Sequence, residues 1–158
     1  MSRTYTGTKD GAAKGKRAGL EAMQQTLMFL FNGKNLGTWV VRNMRNNANP
    51  PQLSVHATGR AADIQPKTDA ETNRLVKFLV DNADTLHIEE VHDYKDGTHG
   101  RGWRCWRREL DGKAGWKQWT ALDNGGSAGS LWCHYELAPD FADSPEKVAA
   151  AFKKIFKN

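Results

Sequence analysis

Cysteine is scarce in this chain: Cys105 and Cys133 are the only two in 158 residues. A small secreted domain stapled by disulfides normally uses more, so no disulfide framework is expected, and two free thiols in a reducing compartment are the reading. Long apolar runs are also lacking. No stretch reaches the roughly 20 residues that span a bilayer, and Met1 through Asp10 has no apolar signal core. The expectation is a protein made in the cytoplasm without a signal peptide, not inserted in a membrane, and dependent on another agent for any work outside the cell. Internal repeats and an interdomain linker are missing as well. One α+β domain is therefore expected over residues 18–158, after a polar, Gly-rich, flexible segment over residues 1–17. The length suffices for one real hydrophobic core.

Acids are fewer than bases, 18 against 23, for a formal charge of +5. A basic surface suits an anionic partner such as nucleic acid, acidic lipid or an acidic wall polymer, without choosing among them. The chain then alternates helical and strand-like patterns. Ala18 to Phe31 carries Leu20, Met23, Leu27, Phe29 and Leu30 at helical spacing and stops at Asn32-Gly33. Thr38 to Arg42 reads as a short strand, and Asn43 through Gln52, with Pro50-Pro51, as a surface loop. Ala61 to Ile64 reads as a second strand. Thr68-Asp69-Ala70-Glu71 is a helix start with acids at the positive end. Leu86 to Val91 and Leu131 to Leu137 read as strands. Residues 93–130 read as loops with short strands. Pro145 opens a final helix whose inner face is Val148, Ala151, Phe152, Ile155 and Phe156.

Chemistry concentrates in two places. Ser54-Val55-His56-Ala57-Thr58-Gly59-Arg60-Ala61-Ala62-Asp63 brings an imidazole and a carboxylate to either side of a glycine turn. Leu131-Trp132-Cys133-His134-Tyr135-Glu136 supplies a second imidazole from a distant strand. Two histidines and one acid are proper zinc ligands and leave a fourth position for water, as a hydrolytic centre requires. His56, Asp63 and His134 are thus the candidate ligands of a Zn2+ ion. The competing reading is a buried His56 bonded to backbone and an Asp63 that caps the loop. Strand alternation turns Cys133 away from His134, so Cys133 is not expected as a ligand.

The pattern Ser54-x-His56-x-x-Gly59-Arg60-Ala61-x-Asp63 resembles the first zinc motif of the D-alanyl-D-alanine carboxypeptidase and L-alanyl-D-glutamate endopeptidase family. That family includes bacterial wall carboxypeptidases and many phage endolysins, and shares its fold with the hedgehog signalling domain. Trp132-Cys133-His134-Tyr135-Glu136 resembles its second motif, and the resemblance spans about residues 37–137. It implies a small central antiparallel sheet flanked by helices. It further implies a zinc-dependent peptidoglycan peptidase, a hydrolase that cuts a stem-peptide bond involving a D-amino acid, of the phage endolysin kind. The implied partner is the bacterial peptidoglycan stem peptide, reached from the host cytoplasm after a holin opens the route, and the protein is expected to act as a monomer. Ser54, within the motif, is a further candidate for substrate binding. A substrate-binding arginine is implied between Gly37 and Arg45, with Arg42 the first choice and Arg45 the second, and Arg60 is a further candidate for holding a carboxylate or an oxyanion.

One absence stands out against that resemblance. The family places a catalytic acid a few residues before the last histidine, often three, yet that position is Leu131, and no carboxylate occurs between Gly125 and Cys133. Candidates for the base are Asp123 on the preceding loop, Glu136 on the strand face of His134, and Glu90, or its neighbour Glu89, on another strand. Glu136 can equally serve as support for a ligand histidine. A catalytically weak zinc-containing wall-binding protein is the alternative. His87, His92 and His99, with His92-Asp93 as an acid–base pair, keep a metal-dependent nuclease as a lesser alternative, although nucleic acid is not the expected partner. The run Gly102-Trp103-Arg104-Cys105-Trp106-Arg107-Arg108, followed by Trp116 and Trp119, reads either as a cleft lining that stacks on sugars or bases, or as core rings with solvated arginines.

Overall fold

A computed structural model describes residues 3–45, 48–109, 115–123 and 127–157. Helix α1 spans Ala18–Leu30 and buries Leu20, Met23, Gln24 and Leu27, the i, i+3, i+4, i+7 stripe of an amphipathic helix. The Phe31 N–H closes onto the Leu27 carbonyl, and Asn32, at φ 50°, turns the chain straight into strand β1, Gly33–Gly37. The strand expected at Thr38 to Arg42 is not part of the sheet. Its β-branched residues suit a strand, but Val40 and Val41 are about half exposed and the segment runs as an arm beside the next loop. Sheet position is decided here by the helix exit and by Gly33, where a Cβ would lie 2.9 Å from the Ile64 side chain, and not by intrinsic preference.

Strand β2 is Ala61–Pro66. Helix α2, Asp69–Asp81, starts as expected: the Thr68 hydroxyl oxygen accepts the Glu71 N–H at 3.2 Å. Helix α3, Ala83–Leu86, leads into strand β3, Ile88–Asp93. Strands β4, Arg101–Arg104, and β5, Trp116–Gln118, follow, then β6, Cys133–Leu137, and helices α4, Pro139–Ala142, and α5, Pro145–Lys157. The six strands form one sheet in the order β1-β2-β6-β3-β4-β5, and every pairing is antiparallel. The molecule is thus an α+β fold whose central antiparallel sheet is flanked by helices. Among the described residues, no helix is long and apolar enough to cross a membrane.

Strand alternation gives the sheet two different faces. One carries Ala62, Ile64, Cys133, Tyr135, Val91 and Trp103, all fully buried in the core formed with Leu20, Leu27, Leu75, Leu79, Val148 and Phe152 from the helices. Both cysteines are buried and free, as expected, and Cys133 does point away from His134. The other face carries Asp63, His134 and His92 in directly opposed positions, and Glu136, Glu90 and Arg104 in the neighbouring row.

The described part of the segment expected to be flexible is fastened across the fold. Arg60 and Glu89 are buried charges that face each other at 3.2 Å, and a buried ion pair needs its remaining polar atoms satisfied. Residues 6–10 satisfy them. Thr6 donates its N–H and hydroxyl to Glu89 at 3.0 and 2.7 Å, Asp10 accepts from Arg60 Nε at 2.9 Å, and the Gly7 carbonyl accepts from the same guanidinium. Arg17 then bridges Asp10 and Asp143. Composition makes this segment look loose because its partners lie 50 and more positions away.

Helix α1 meets α4 at Gly19, where a Cβ would fall 1.9 Å from the Phe141 carbonyl oxygen. Helix propensity alone favours alanine there by about 1 kcal/mol. The clash is with backbone and exceeds that gain. Gly19→Ala is expected to lower the unfolding free energy by about 1–3 kcal/mol in urea denaturation; a stabilised variant would show that the two helices do not approach this closely.

Candidate metal centre

The first ligand sits on a short turn. Residues Val55–Thr58 form one 3₁₀ turn, closed by the Thr58 hydroxyl donating to the Val55 carbonyl at 2.8 Å. Gly59 ends it in the left-handed region, at φ 69°, with its N–H on the His56 carbonyl at 3.1 Å. A side chain there would be strained in backbone and would also meet Arg17 at 3.0 Å. This reversal returns the chain into β2, so that Asp63 faces His56. Asp63 is also directly opposite His134 across the β2–β6 ladder.

The three side chains converge. Asp63 Oδ2 lies 3.2 Å from His56 Nε2, and Asp63 Oδ1 lies 2.9 Å from His134 Nδ1. One ligand atom from each residue lies within 4.8 Å of the others. Ligands around a tetrahedral zinc are roughly 3.3 Å apart, given bonds of about 2.0–2.1 Å, so small side-chain rotations bring this set onto an ion. Two imidazole nitrogens and a carboxylate oxygen suit zinc and leave a position open. The chain is therefore a small α+β domain with a His56/Asp63/His134 cluster geometrically able to chelate a metal ion.

The tautomer of His134 is set from behind. Its Nε2 lies 3.1 Å from Glu136 Oε1, so an Nε2–H donated there leaves Nδ1 for a metal, the arrangement common for ligand histidines. Glu136 is buried, and its second oxygen has no hydrogen-bond partner among the described residues. Burial, and then the charge of Glu90, raise its carboxyl above the ordinary range. Glu90 is better supplied: Arg104 Nε at 2.7 Å, the Tyr5 hydroxyl at 2.9 Å and His92 Nε2 at 3.1 Å. Burial pushes its carboxyl up, but His92 and Arg104 outweigh burial and hold it well below the ordinary range.

His92 belongs to this centre. Its ring stacks on His134 with centroids 4.6 Å apart, and its Nδ1 meets the Tyr94 hydroxyl at 3.1 Å. The expected His92–Asp93 pair does not form, because neighbours on a strand point to opposite faces. Asp93 instead takes Arg101 at 3.1 Å. His92 is outside the set of side chains whose ligand atoms converge, and its nitrogens serve Glu90 and Tyr94, which makes it a neighbour of the candidate ligand ring. His87 lies elsewhere, stacked on Phe141.

The remaining candidates are placed as follows. Ser54 is buried at the head of the 3₁₀ turn, and its N–H donates to the Arg42 carbonyl at 3.0 Å. The Val40 N–H donates to the His56 carbonyl at 3.4 Å. The arm that bears Arg42 is thereby pinned to the turn that bears His56, and Arg42 Nη1 reaches the Asn43 carbonyl at 3.3 Å. Arg45 is exposed further along the arm. Arg60 is not brought to the cluster: it is fully buried, with Asp10, Glu89 and the Gly7 and Leu137 carbonyls as its partners. Asp123 is not brought to it either. Lys117 holds it at 2.5 Å and the Thr120 N–H at 3.0 Å, on a turn beyond the edge strand. Glu89 serves Arg60 and Thr6. Sequence reading missed Gln24, whose amide donates to the Asp63 carbonyl at 2.8 Å and accepts the Tyr135 hydroxyl at 2.9 Å. A glutamine inside the apolar stripe of α1 was the available signal. Tyr5 and Tyr94 carried no comparable signal.

Compared with protein-family models, with curated proteins and with solved structures, the chain matches none.

Electrostatics couples this centre to pH. Burial lowers the proton affinity of His134, but the hydrogen bonds and charges of Asp63 and Glu136 outweigh it and push its pKa up to about 10 in the metal-free protein. At pH 7 a metal must therefore displace a proton from Nδ1. Apparent zinc affinity is expected to rise about tenfold per pH unit from neutrality towards pH 10, with one proton released, read by calorimetry in buffers of different ionisation enthalpy. His56→Ala and His134→Ala are expected to lose stoichiometric zinc. Retention in both would dismiss this site.

Proposed function

We propose that this chain is a zinc-dependent peptidoglycan peptidase that hydrolyses a stem-peptide bond involving a D-amino acid, as phage endolysins do. The observation that carries the reading is the triad itself. A turn, a strand and a second strand 71 positions on from Asp63 deliver two imidazoles and a carboxylate to one point, with Glu136 behind the ligand His134. A zinc ion held there supplies a Lewis acid and a water activated near neutral pH.

In this reading the protein's own residues divide the remaining work. Arg42, on the arm pinned to the metal-binding turn, holds a carboxylate of the stem peptide, and Ser54 keeps that arm in register. Glu136 fixes the ring of His134 through Nε2, on the side away from the Nδ1 that faces the metal, and is a positioning residue. Glu90 keeps His92 packed against that ring. The proton-accepting role is assigned to Asp123, which leaves Lys117 and Thr120 to reach the centre. Delivery to the wall through a holin-opened membrane follows from the same reading, and the +5 charge favours the acidic wall.

A specific observation favours a second reading. Leu131 stands where an acid is expected, and Glu136 already spends one oxygen on a ligand histidine. A domain built this way can hold zinc and wall peptide with little turnover.

Mass analysis of stem peptides from purified peptidoglycan, incubated with and without a chelator, separates the two. New chelator-sensitive fragments are expected. Asp123→Asn is expected to lower turnover by roughly 10²–10⁴-fold with the fold intact, against smaller losses for Glu136→Gln and Glu90→Gln. Zinc retention with no fragment from any peptidoglycan type leaves the wall-binding reading.

A further inference from the structure

The cross-strand row that contains the metal ligands continues past them. It runs Asp63, His134, His92 and then Gly102 on β4. At Gly102 the row has no side chain, and the indole of Trp119 occupies the vacated place. A Cβ on Gly102 would lie 2.9 Å from the ring atoms Nε1 and Cζ2 of Trp119, and one on Gly100 would lie 3.1 Å from Cε3. The two glycines thus leave a bare strip of backbone on which the indole lies. Trp119 is nevertheless only half-buried, with that strip against one side of it. Its edge contact with His92, centroids 4.8 Å apart, links it to the ring stacked on His134. Tyr94, itself buried, packs between the two indoles, 5.7 Å from Trp119 and 4.4 Å from the half-buried Trp132.

The flanks of this aromatic surface carry little net charge. Arg101 is paired with Asp93 at 3.1 Å and Asp96 at 3.8 Å, Lys117 with Asp123 at 2.5 Å, and Lys95 with Asp69. A nucleotide or an acidic polymer would need unpaired cations for its phosphates. An aromatic face with neutralised flanks suits an uncharged ring that offers C–H groups to the π surface and hydroxyls or amides to the rim. We propose that Trp119, with Trp132 beside it and the buried Tyr94 packed between them as support, is a stacking platform for an N-acetylated hexopyranose ring of the wall glycan. Two inter-strand spacings, roughly 10 Å in all, separate Gly102 from His134, and an extended chain covers that in about three residues. A sugar on the platform therefore sets the first residues of its attached peptide at the metal. This part of the inference rests on the peptidase reading; the sugar binding does not. The substrate would be a stem peptide still attached to its glycan.

The experiment uses the full chain and a soluble probe, the β-1,4-linked trimer of N-acetylglucosamine, followed by tryptophan fluorescence and NMR shifts. Saturable binding is expected in the parent and, with unchanged Kd, in the His56→Ala protein. Trp119→Ala is expected to raise Kd at least tenfold, Trp132→Ala by less, and Trp119→Phe to restore part of the loss; the Phe variant keeps the test valid if the alanine variant unfolds. No saturable binding by the parent, equal binding by a folded Trp119→Ala protein, or preference for a single-stranded oligonucleotide over the saccharide overturns the platform. A second arm compares kcat/KM on sugar-bearing and sugar-free stem peptides of one sequence. Preference for the sugar-bearing form, lost through KM in the Trp119 variants, supports the full inference. Cleavage of both forms at equal efficiency without saccharide binding overturns the platform and leaves the peptidase. Saccharide binding without cleavage of either form upholds the platform and overturns the peptidase.

Discussion

Strand β6 is buried on both sides, and its alternation decides what each side holds. Cys133, Tyr135 and Leu137 face the core, and His134 and Glu136 face the polar layer. A shift of one residue in its register would exchange the two sets, placing imidazole and carboxylate among the helices and a tyrosine and leucine over the metal ligands. Two neighbours hold the register. Asp63 on β2 pairs opposite His134, and His92 on β3 pairs opposite it from the other side. The convergence of His56, Asp63 and His134 and the apolar packing are therefore two consequences of one strand alignment, and Gln24 ties them together by bonding Tyr135 on one strand and the Asp63 carbonyl on the next.

Burying so much charge has a structural cost that the N-terminal segment offsets. Glu89, Glu90, Glu136 and Arg60 are all nearly inaccessible. Unpaired, such groups are costly, and their pairing is what makes the polar layer tolerable. Tyr5 and Arg104 serve Glu90, Thr6 serves Glu89, and Asp10 serves Arg60. Residues 3–10 thus belong to the polar layer as much as the strands do. Because Glu90 also holds His92 against His134, the segment bears on the ligand geometry from behind.

Two arrangements of charge meet at the centre. Asp63 is half-buried, which disfavours its charge, but the hydrogen bonds from His134 and His56 outweigh this and hold its carboxyl well below the ordinary range. Glu136, a short step behind, is moved in the opposite direction by burial and by Glu90. Carboxyl groups separated in proton affinity within one site are the usual material of acid–base chemistry, although buried ion-pair networks separate them too. Away from that charge, the same sheet face passes into the neutral aromatic surface around Trp119.

Local sequence determined a good deal. Periodicity and a capping threonine were enough for α1, α2 and α5, because a helix depends on residues three and four apart. The His56–Gly59–Asp63 turn was legible for the same reason, as was the opposition of Cys133 and His134. The triad could be proposed from residue types, yet its convergence needed β6 to insert between β2 and β3, a pairing that no local pattern encodes. The position of β1 ahead of the β-branched arm, the withdrawal of Arg60 into a buried ion pair and the capture of Asp123 by Lys117 were likewise decided in three dimensions. So was the arrival of His92 and Glu90 beside the ligands. Each turns on a partner distant in sequence, and a charge is committed or left free only when the fold brings that partner within hydrogen-bond reach.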